Sequence, residues 1–318
     1  MNNEIEDIKI LSIDGGGVRG TTTVAFLQHV EDYLLQTEHK TLYEYFDGFV
    51  GASSGGVIAL GLSSGLSVHE ISDLVLKENI DRVLTETPFY DIYNSKYTDE
   101  KREVFKKIFD QKGITNKFLG DNDKLCAVTT YDLTDKKAHV FSSLDSDMTD
   151  SHISFLDAAD ATSAAPSYFP PVKIAIGTHE DYFIDGGVIS RQPSMTAYSI
   201  AKLAYPDLDS NHIKIFSVGA SNNDGKSISG TGPQNQAAWL PYITSILSDT
   251  SIDDFYTKSI LGDNFLRINS PTDFEFNGEK VSVAYSLGDN SQENIDNLYH
   301  LGDLWWKAYH DQVESFLV

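Results

Sequence analysis

Short apolar segments alternate along the chain with longer segments in which apolar positions recur every three or four residues. The short segments predict strands at 8–13, 46–51, 124–131, 138–142, 172–176, 182–185, 213–218 and 264–269. The periodic segments predict helices at 18–36, 54–64, 68–81, 99–111, 153–165, 193–205, 236–248 and 291–316. Because strands that alternate with helices usually form parallel sheets, this order predicts an α/β fold with a largely parallel central sheet and helices on both faces.

The chain shows no Pro/Ser-rich linker, no block of like charge and no internal repeat. An α/β fold of this length often forms one unit, so we expect a single domain over residues 1–318.

A serine lies between the second predicted strand and its helix, in the stretch Gly51-Ala52-Ser53-Ser54-Gly55. The pattern G-x-S-x-G is typical of a serine held on a tight turn, with its hydroxyl exposed at the start of a helix. Gly51 and Gly55 suit such a turn because side chains there would collide with the strand and the helix. A nucleophile that attacks a carbonyl carbon fits this turn, and so does a plain helix start without chemistry.

A glycine-rich segment, Asp14-Gly15-Gly16-Gly17-Val18-Arg19-Gly20, follows the first predicted strand. Its glycines leave main-chain N–H groups unshielded at a helix start, where they can bind an oxyanion or a phosphate, and Arg19 adds a positive charge. The spacing also matches the dinucleotide-binding pattern G-x-G-x-x-G. That interpretation is disfavoured because no acidic residue ends the second strand to bind a ribose.

Two later segments add further candidates. An aromatic and apolar strand, Tyr182-Phe183-Ile184, delivers Asp185 onto Gly186 and Gly187, a pattern that also occurs in plain turns. The small residues from Leu156 to Pro166 predict a helix that packs closely on a neighbour, and we assign it no catalytic part.

Taken together, these segments resemble the patatin-like phospholipases, a family of lipid acyl hydrolases. The resemblance rests on D-G-G-G-x-R-G at 14–20, G-x-S-x-G at 51–55, A-T-S-A-A-P ending at Pro166 with Y-F-P-P after it, and D-G-G at 185–187. These motifs occur in the family's order and cover most of residues 8–220. The resemblance implies a patatin-like three-layer sandwich, which residues 221–318 complete.

The resemblance also implies a catalytic Ser–Asp dyad, with Ser53 as the nucleophile and Asp185 as the base. It places the oxyanion hole at the amides of Gly16 and Gly17, with help from Gly15 or Val18. Supporting roles fall to Arg19, Gly51, Gly55 and Gly186. The implied activity is a phospholipase A-type hydrolysis of glycerolipid esters without a cofactor or a metal.

One departure from the family lies beside Asp185. Arg191 and Gln192 stand where family members often have asparagines before a proline. The geometry of this loop is therefore open, and Arg191 is a candidate contact for a lipid phosphate or a plain surface arginine.

Two other functions stay open. An α/β-hydrolase esterase with a Ser–Asp–His triad would need His212 or His300, which both follow Asp185 but lack the loop context of a catalytic histidine. A latent effector or toxin switched on by a small ligand or a protein partner, or a non-catalytic lipid-binding protein, would use the same fold.

The formal charge is −23, from 47 acidic and 24 basic side chains. This excess argues against nucleic acid and against simple adhesion to anionic membranes. A membrane or micellar glycerolipid substrate would be reached through an apolar lip or a basic cluster. The candidate cluster comprises Lys96, Lys101, Arg102, Lys106 and Lys107. The simpler interpretation of the helix at 99–111 is an ordinary amphipathic surface helix. Pro88, Phe89, Tyr90, Tyr93 and Tyr97 predict a mobile aromatic lid or an ordered loop.

The chain start is acidic and lacks the basic and apolar regions of a signal peptide, and no apolar run is long enough to span a bilayer. The single cysteine, Cys126, lies in a predicted strand, where we expect it to be buried and inert. These features favour a reducing, cytoplasmic location with peripheral contact to membranes.

Overall fold

The computed structural model describes residues 7–87, 95–146, 149–221 and 249–317, and within them a nine-stranded mixed sheet carries helices on both faces. Its strands are β1 (Ile8–Ile13), β2 (Gly48–Ala52), β3 (Leu125–Asp132), β4 (Lys137–Ser142), β5 (Thr149–Asp150), β6 (Val172–Ile176), β7 (His179–Asp185), β8 (Ile213–Val218) and β9 (Phe265–Ile268). A separate hairpin consists of β10 (Asp273–Phe276) and β11 (Glu279–Ser282). The α-helices are α1 (Gly20–Thr37), α2 (Leu42–Tyr45), α3 (Ser53–Ser63), α4 (Val68–Ile71), α5 (Lys77–Val83), α6 (Glu100–Phe109), α7 (Phe155–Thr162), α8 (Ser194–Ala204), α9 (Ser251–Leu261) and α10 (Gln292–Leu317).

The sheet is mostly parallel, as predicted. Its main path runs in the order β5-β4-β3-β2-β1-β8-β9, and the pairs β1–β2, β2–β3, β1–β8, β8–β9 and β4–β5 are parallel. The pairs β3–β4, β3–β7 and β6–β7 are antiparallel. The carboxyl ends of β1, β2 and β3 therefore meet at one edge, where sites in such sheets form.

Successive residues of the central strands face opposite helix layers, because side chains alternate along a strand. Leu11 and Phe49 belong to the larger core, which they share with α1, α3 and α10. Ile10 and Val50 belong to the second core, together with Ala197 of α8. This alternation produces the three layers predicted from the sequence.

The last helix, α10, packs along α1. Trp305 is fully buried, with its ring edge against Phe26 at a centroid distance of 6.1 Å. Trp306 stacks on His29 at 5.8 Å. Both tryptophans therefore dock onto the protein. Within the described ranges, no helix combines the length and apolar character that crossing a bilayer requires.

The antiparallel strand β7 extends the line of β2 along the same edge of β3. In the pairing register Ala52 lies opposite Thr129, and Asp185 lies opposite Thr130. Strand β4 occupies the other edge of β3 from Ala127 to Asp132. Strands β2 and β7 thus end against neighbouring residues of β3, approaching from opposite directions.

One predicted helix differs from the structure, and several observed elements were not predicted. The helix predicted at 68–81 breaks into α4, a 3₁₀ turn and α5, and the buried Asn79 side chain donates to the Asp73 carbonyl across the break (2.6 Å). The short helix α2, the helix α9 and the hairpin β10–β11 were not predicted. The predicted helix at 236–248, the loop before it, and Pro88, Phe89, Tyr90 and Tyr93 lie outside the described residues. Tyr97 is buried against Tyr168 and Phe169.

Candidate active site

Ser53 begins α3 directly after the last residue of β2, on a strained turn. Its φ of 53° lies in the left-handed region, which costs a non-glycine residue roughly 1–2 kcal/mol. Its main-chain N–H donates to Oγ1 of Thr162 (3.1 Å), and the Thr162 hydroxyl donates to the Thr129 carbonyl (2.7 Å). Thr162 therefore ties the turn to β3 and helps to hold the Ser53 backbone in this conformation.

The two glycines that flank Ser53 allow α3 to begin directly against the end of β1. A methyl group on Gly55 would lie 2.4 Å from the Asp14 carbonyl oxygen, and one on Gly51 would lie 2.3 Å from the Gly55 carbonyl oxygen. Both contacts are with main-chain atoms, which cannot swing aside as side chains can. The close approach explains why G-x-S-x-G carries glycine at both ends.

The Ser53 hydroxyl donates to Oδ2 of Asp185 at 2.6 Å. The other carboxylate oxygen, Oδ1, accepts from the Gly187 main-chain N–H at 2.7 Å. Asp185 is 4% exposed, and this burial raises the pKa of its carboxyl to about 6, against the opposing effects of the Ser53 and Gly187 hydrogen bonds and the charge of Lys101. Ser53 and Asp185, the two residues predicted from the sequence, are thus hydrogen-bonded to each other. The Asp185 carboxylate is more basic than an exposed aspartate.

The glycine-rich loop lies beside this pair, but two of its four candidate amides are already engaged by carbonyl oxygens. Gly15 N–H donates to Arg191 O (3.0 Å), and Val18 N–H donates to Leu287 O (2.9 Å). Gly16 N–H donates instead to the Ser54 hydroxyl (3.1 Å). The Gly17 N–H has no hydrogen bond to any other described residue. Gly16 and Gly17 are therefore the two loop amides that a ligand can engage most readily.

Two buried arginines lie beside the glycine loop. Arg191 donates from Nε to Gly15 O (2.8 Å) and from Nη2 to Ser221 O (3.1 Å). This residue, which departs from the family pattern, is therefore a buried support of the glycine loop and not a surface arginine. The Nε and Nη1 atoms of Arg19 are buried without a hydrogen-bond partner among the described residues. Burial, with the nearby charge of Arg191, lowers the pKa of Arg19 to about 9.

The last third of the chain also contacts the glycine-rich loop. Arg267 on β9 makes a bidentate ion pair with the buried Asp14, with Nη1–Oδ1 at 2.7 Å and Nη2–Oδ2 at 2.5 Å. The Leu287 carbonyl accepts from Val18, as described above, and Gly17 passes so close that a methyl group there would lie 2.4 Å from the same oxygen.

The predicted basic cluster on α6 is wrong at Lys101. This side chain is fully buried, and Nζ donates to the Asp160 carbonyl (2.6 Å) and to Oδ1 of Asp160 (2.5 Å). Arg102 pairs with Asp157 and Asp160, whereas Lys106 and Lys107 are exposed. Lys101 lies on the same helical face as the buried residues Phe105 and Ile108, which places it on the inner side of α6.

Ser53, Asp185, Gly16 and Gly17 line one cavity of about 570 Å³. Much of its wall is apolar, from α3, the segment 74–84, α6 and the loop after α7. These apolar side chains are Val57, Ile58, Leu74, Val75, Ile80, Val83, Leu84, Phe105, Pro166 and Phe169. A cavity of this size with a small convergent polar group is typical of a small-molecule or lipid-chain site.

The candidate histidines of a triad lie elsewhere. His212 Nδ1 lies 3.0 Å from Asp7, and His300 Nε2 lies 2.7 Å from Glu279. No histidine is among the described residues that line the cavity. Asp145, Asp150 and His152 form a partly exposed group with ligand atoms within 4.8 Å of one another, and none of the three lines the cavity. Cys126 is buried, as predicted.

Sequence reasoning missed several residues that shape this site. Lys101 was detectable, because its spacing from Phe105 and Ile108 matches the apolar face of α6. Thr162 lies in the A-T-S-A-A-P segment, whose small residues predict close helix packing and no catalytic part. Ser54 gave no signal beyond its place in the turn. Arg267 and Leu287 contact residues more than 250 positions earlier in the chain, so no local sequence pattern predicts these contacts.

The fold is that of a known family. Residues 11–198 match the family model of patatin-like phospholipases, which is more than half of the chain, and the chain belongs to this family. The resemblance and the patatin fold predicted from the motifs are thereby confirmed.

The chain is similar to a cGAMP-activated phospholipase of Vibrio cholerae serotype O1, with 29% identity over 93% of this chain and 89% of the relative. It is also similar to patatin-like protein 4 of Arabidopsis thaliana, with 26% identity over 93% of this chain and 82% of that protein. Among solved structures, VipD from Legionella pneumophila aligns with a TM-score of 0.46 and 15% identity, over 94% of this chain and 67% of that one.

Proposed function

We propose that this protein is a lipid acyl hydrolase of the phospholipase A type, which cleaves carboxylic esters of glycerolipids. The observation that carries the proposal is the 2.6 Å hydrogen bond from Ser53 Oγ to Asp185 Oδ2 beside an apolar cavity. A serine nucleophile needs a base within hydrogen-bond reach, and Asp185 is placed to be that base.

In the proposed reaction, Ser53 Oγ bonds to the ester carbonyl carbon while its proton moves to Asp185. The carbonyl oxygen becomes an oxyanion, which the Gly16 and Gly17 amides stabilise once Gly16 exchanges its bond with Ser54 for one to the oxyanion. Asp185 then gives the proton to the departing alcohol oxygen, leaving an acyl-serine. Water attacks this ester, again losing its proton to Asp185, and the fatty acid leaves as Ser53 recovers its proton.

The environment of Asp185 suits this role. A base works best when its pKa lies near the working pH, and burial brings the pKa of this carboxyl to about 6. Each oxyanion donor contributes on the order of 10²–10³ in turnover in comparable sites. A Ser–Asp dyad is favoured over a triad because His212 and His300 are paired with Asp7 and Glu279 away from the cavity lining.

The apolar part of the cavity is the proposed binding site for the acyl chain. Burial of a hydrocarbon chain yields about 0.8 kcal/mol for each methylene group, so a chain lying along this wall would bind without polar contacts. The rest of a glycerolipid, including its headgroup, would then lie toward the glycine loop.

We further propose that residues 1–318 work as one domain in the cytoplasm, with peripheral contact to lipid surfaces. The support for one domain is that Arg267 and Leu287 hold the glycine loop, while α10 packs on α1. The charge of −23 makes neutral or zwitterionic lipid surfaces the better partners.

The test is release of fatty acid from phosphatidylcholine micelles by the wild type, Ser53→Ala and Asp185→Asn, with the products identified by mass spectrometry. Both variants should lose at least about 10³-fold in turnover. Ser64→Ala, at the other end of α3, is the matched control and should keep wild-type activity. Equal release by wild type and Ser53→Ala would remove the proposal and favour a non-catalytic lipid-binding protein.

A regulated form of the same activity is a second candidate. The Vibrio cholerae relative is named for activation by cGAMP and aligns over 93% of this chain. The Gly16 amide is bonded to Ser54 in this structure, which fits a resting site. We expect cGAMP to raise the rate of fatty-acid release, whereas its linear dinucleotide does not. An unchanged rate with both would remove this candidate while leaving the hydrolase proposal intact.

A further inference from the structure

A buried lysine, Lys101, lines the candidate cavity together with Asp185. Its ammonium group donates to two oxygens of Asp160 and lies 3.3 Å from the Ser163 hydroxyl. It also lies 5.2 Å from the centroid of the Phe169 ring. This side chain is almost fully buried, so its charge acts at close range with little screening.

One short segment, residues 160–164, contacts Lys101, Ser53 and Asp185. Asp160 and Ser163 bind the Lys101 ammonium group. Thr162 accepts from the Ser53 main chain, and the Ala164 carbonyl accepts from the Asp185 main-chain N–H at 3.0 Å. The lysine and the proposed base are therefore fixed relative to each other by the same piece of backbone.

We propose that Lys101 is a positioning residue for the reaction, a fixed internal cation that holds Asp185 ready as the proton acceptor. This inference rests on the proposed function of Ser53 and Asp185. Lys101 takes no proton from the substrate in this scheme and forms no bond to it.

The charges around Asp185 decide the sign of the effect. Burial raises the pKa of Asp185, and the positive charge of Lys101 opposes that rise. Asp160, which accepts from the lysine, is also paired with Arg102, and Arg102 is paired with Asp157 as well. Arg191, from the loop after Asp185, donates to the Gly15 carbonyl. Removing Lys101 takes away a cation and leaves the Asp160 carboxylate less compensated, and both changes raise the pKa of Asp185.

A purely structural role for Lys101, clamping α6 to α7, predicts a different result. Loss of a clamp would lower activity by the same factor at every pH. Loss of an internal cation would lower it mainly where Asp185 becomes protonated. The pH profile therefore separates the two roles.

The experiment compares wild type, Lys101→Met, Lys101→Arg and Lys106→Met on a soluble short-chain ester across the pH range. The fall in kcat/KM on the acid side should move to higher pH in Lys101→Met, with a several-fold loss at low pH that is recovered in alkaline buffer. Lys101→Arg should restore the wild-type profile. Lys106→Met, the same change on the exposed side of α6, should leave the profile unmoved. A uniform loss at all pH values, or an unmoved profile in Lys101→Met, would overturn the inference.

A second measurement does not depend on activity or on one variant folding. The side-chain carboxyl of Asp185 is titrated by NMR with ¹³C-labelled aspartate, its signal being the one lost in Asp185→Asn. The titration midpoint should rise in Lys101→Met, and also in Lys101→Met/Asp160→Asn, which leaves no unpaired charge in the interior. Unchanged midpoints would overturn the inference even in an active enzyme. The two proposals can also fail separately. If the Asp185 midpoint rises in Lys101→Met but Ser53→Ala hydrolyses the ester as fast as wild type, only the proposed hydrolase function would be overturned.

Discussion

The hydroxyl of Ser53 lies 2.6 Å from Oδ2 of Asp185, although 132 residues separate the two along the chain. The meeting follows from strand register, because Ala52 pairs with Thr129 and Asp185 pairs with Thr130 on the same edge of β3. Neither residue depends on a flexible loop to reach the other. Strand pairing in the sheet therefore brings the pair together.

The first prediction concerns pH. Because Asp185 must be ionised to accept a proton and burial raises its pKa to about 6, activity should fall by about tenfold per pH unit below pH 6. The measurement is kcat/KM on a soluble ester over about two pH units on either side of pH 6. A fall centred near the ordinary aspartate pKa would contradict the environment described for Asp185.

The second prediction concerns stability. The folded state raises the pKa of Asp185 from 3.8 to about 6, so this group favours folding below pH 3.8 and loses that contribution as the pH rises through 6. Asp185→Asn removes the cost of the buried charge and should raise the free energy of unfolding by about 1–3 kcal/mol at pH 7.5. The difference between variant and wild type should shrink as the pH falls toward 4.

Urea unfolding of both proteins at the two pH values measures this change. A variant that is less stable than wild type at pH 7.5 would show that the hydrogen bonds of Asp185 outweigh the cost of its burial.

The third prediction concerns the turn that presents Ser53. In Gly55→Ala the new methyl group meets the Asp14 carbonyl at 2.4 Å, so the turn must shift. We expect a loss of at least about 2 kcal/mol in the free energy of unfolding, together with loss of activity.

Gly61→Ala, in the same helix, is the control. Its methyl group would lie 3.1 Å from Cδ1 of Ile71, the free end of a flexible side chain. The expected change in stability is within about 1 kcal/mol, because the higher helix propensity of alanine offsets the contact. Thermal or urea unfolding of both variants checks the contrast, and equal effects would contradict the close packing of α3 on β1.

The fourth prediction concerns the histidines. His212→Gln/His300→Gln should keep kcat/KM within about twofold of wild type, because each side chain is paired with a carboxylate that does not line the cavity. Loss of activity in a folded double variant would restore the triad as the mechanism.

The fifth prediction concerns the acyl chain. Ile80 is buried in the cavity wall, and Ile80→Trp should fill part of the space beyond Ser53. The ratio of kcat/KM for long-chain over short-chain esters should fall by at least about tenfold, since several methylene groups lose their burial. An unchanged ratio in a folded variant would place the acyl chain elsewhere.

Much of this site could be predicted from the sequence because each motif is local. The glycines around Ser53 and in the loop at 14–20 report close main-chain contacts. Short apolar segments predict six strands of the sheet to within one residue of their observed bounds. The antiparallel direction of β7 was not predictable from periodicity, since a strand has the same pattern in either direction. Lys101 was assigned to the surface because its charge was weighed above its position on the apolar face of α6. The anchors Arg267 and Leu287 depend on tertiary contacts alone.

Those two anchors bear on how the protein can be rebuilt. The stretch after residue 221 carries none of the signature motifs. Even so, the guanidinium of Arg267 and the carbonyl of Leu287 bind the glycine loop beside the nucleophile. Consider a chimera that joins the motif-bearing part of this chain to the C-terminal part of a distant homologue. It would keep every signature motif but lose the contacts between the glycine loop and residues 267 and 287. Recombination within the family should therefore succeed where the tail and the loop are exchanged together.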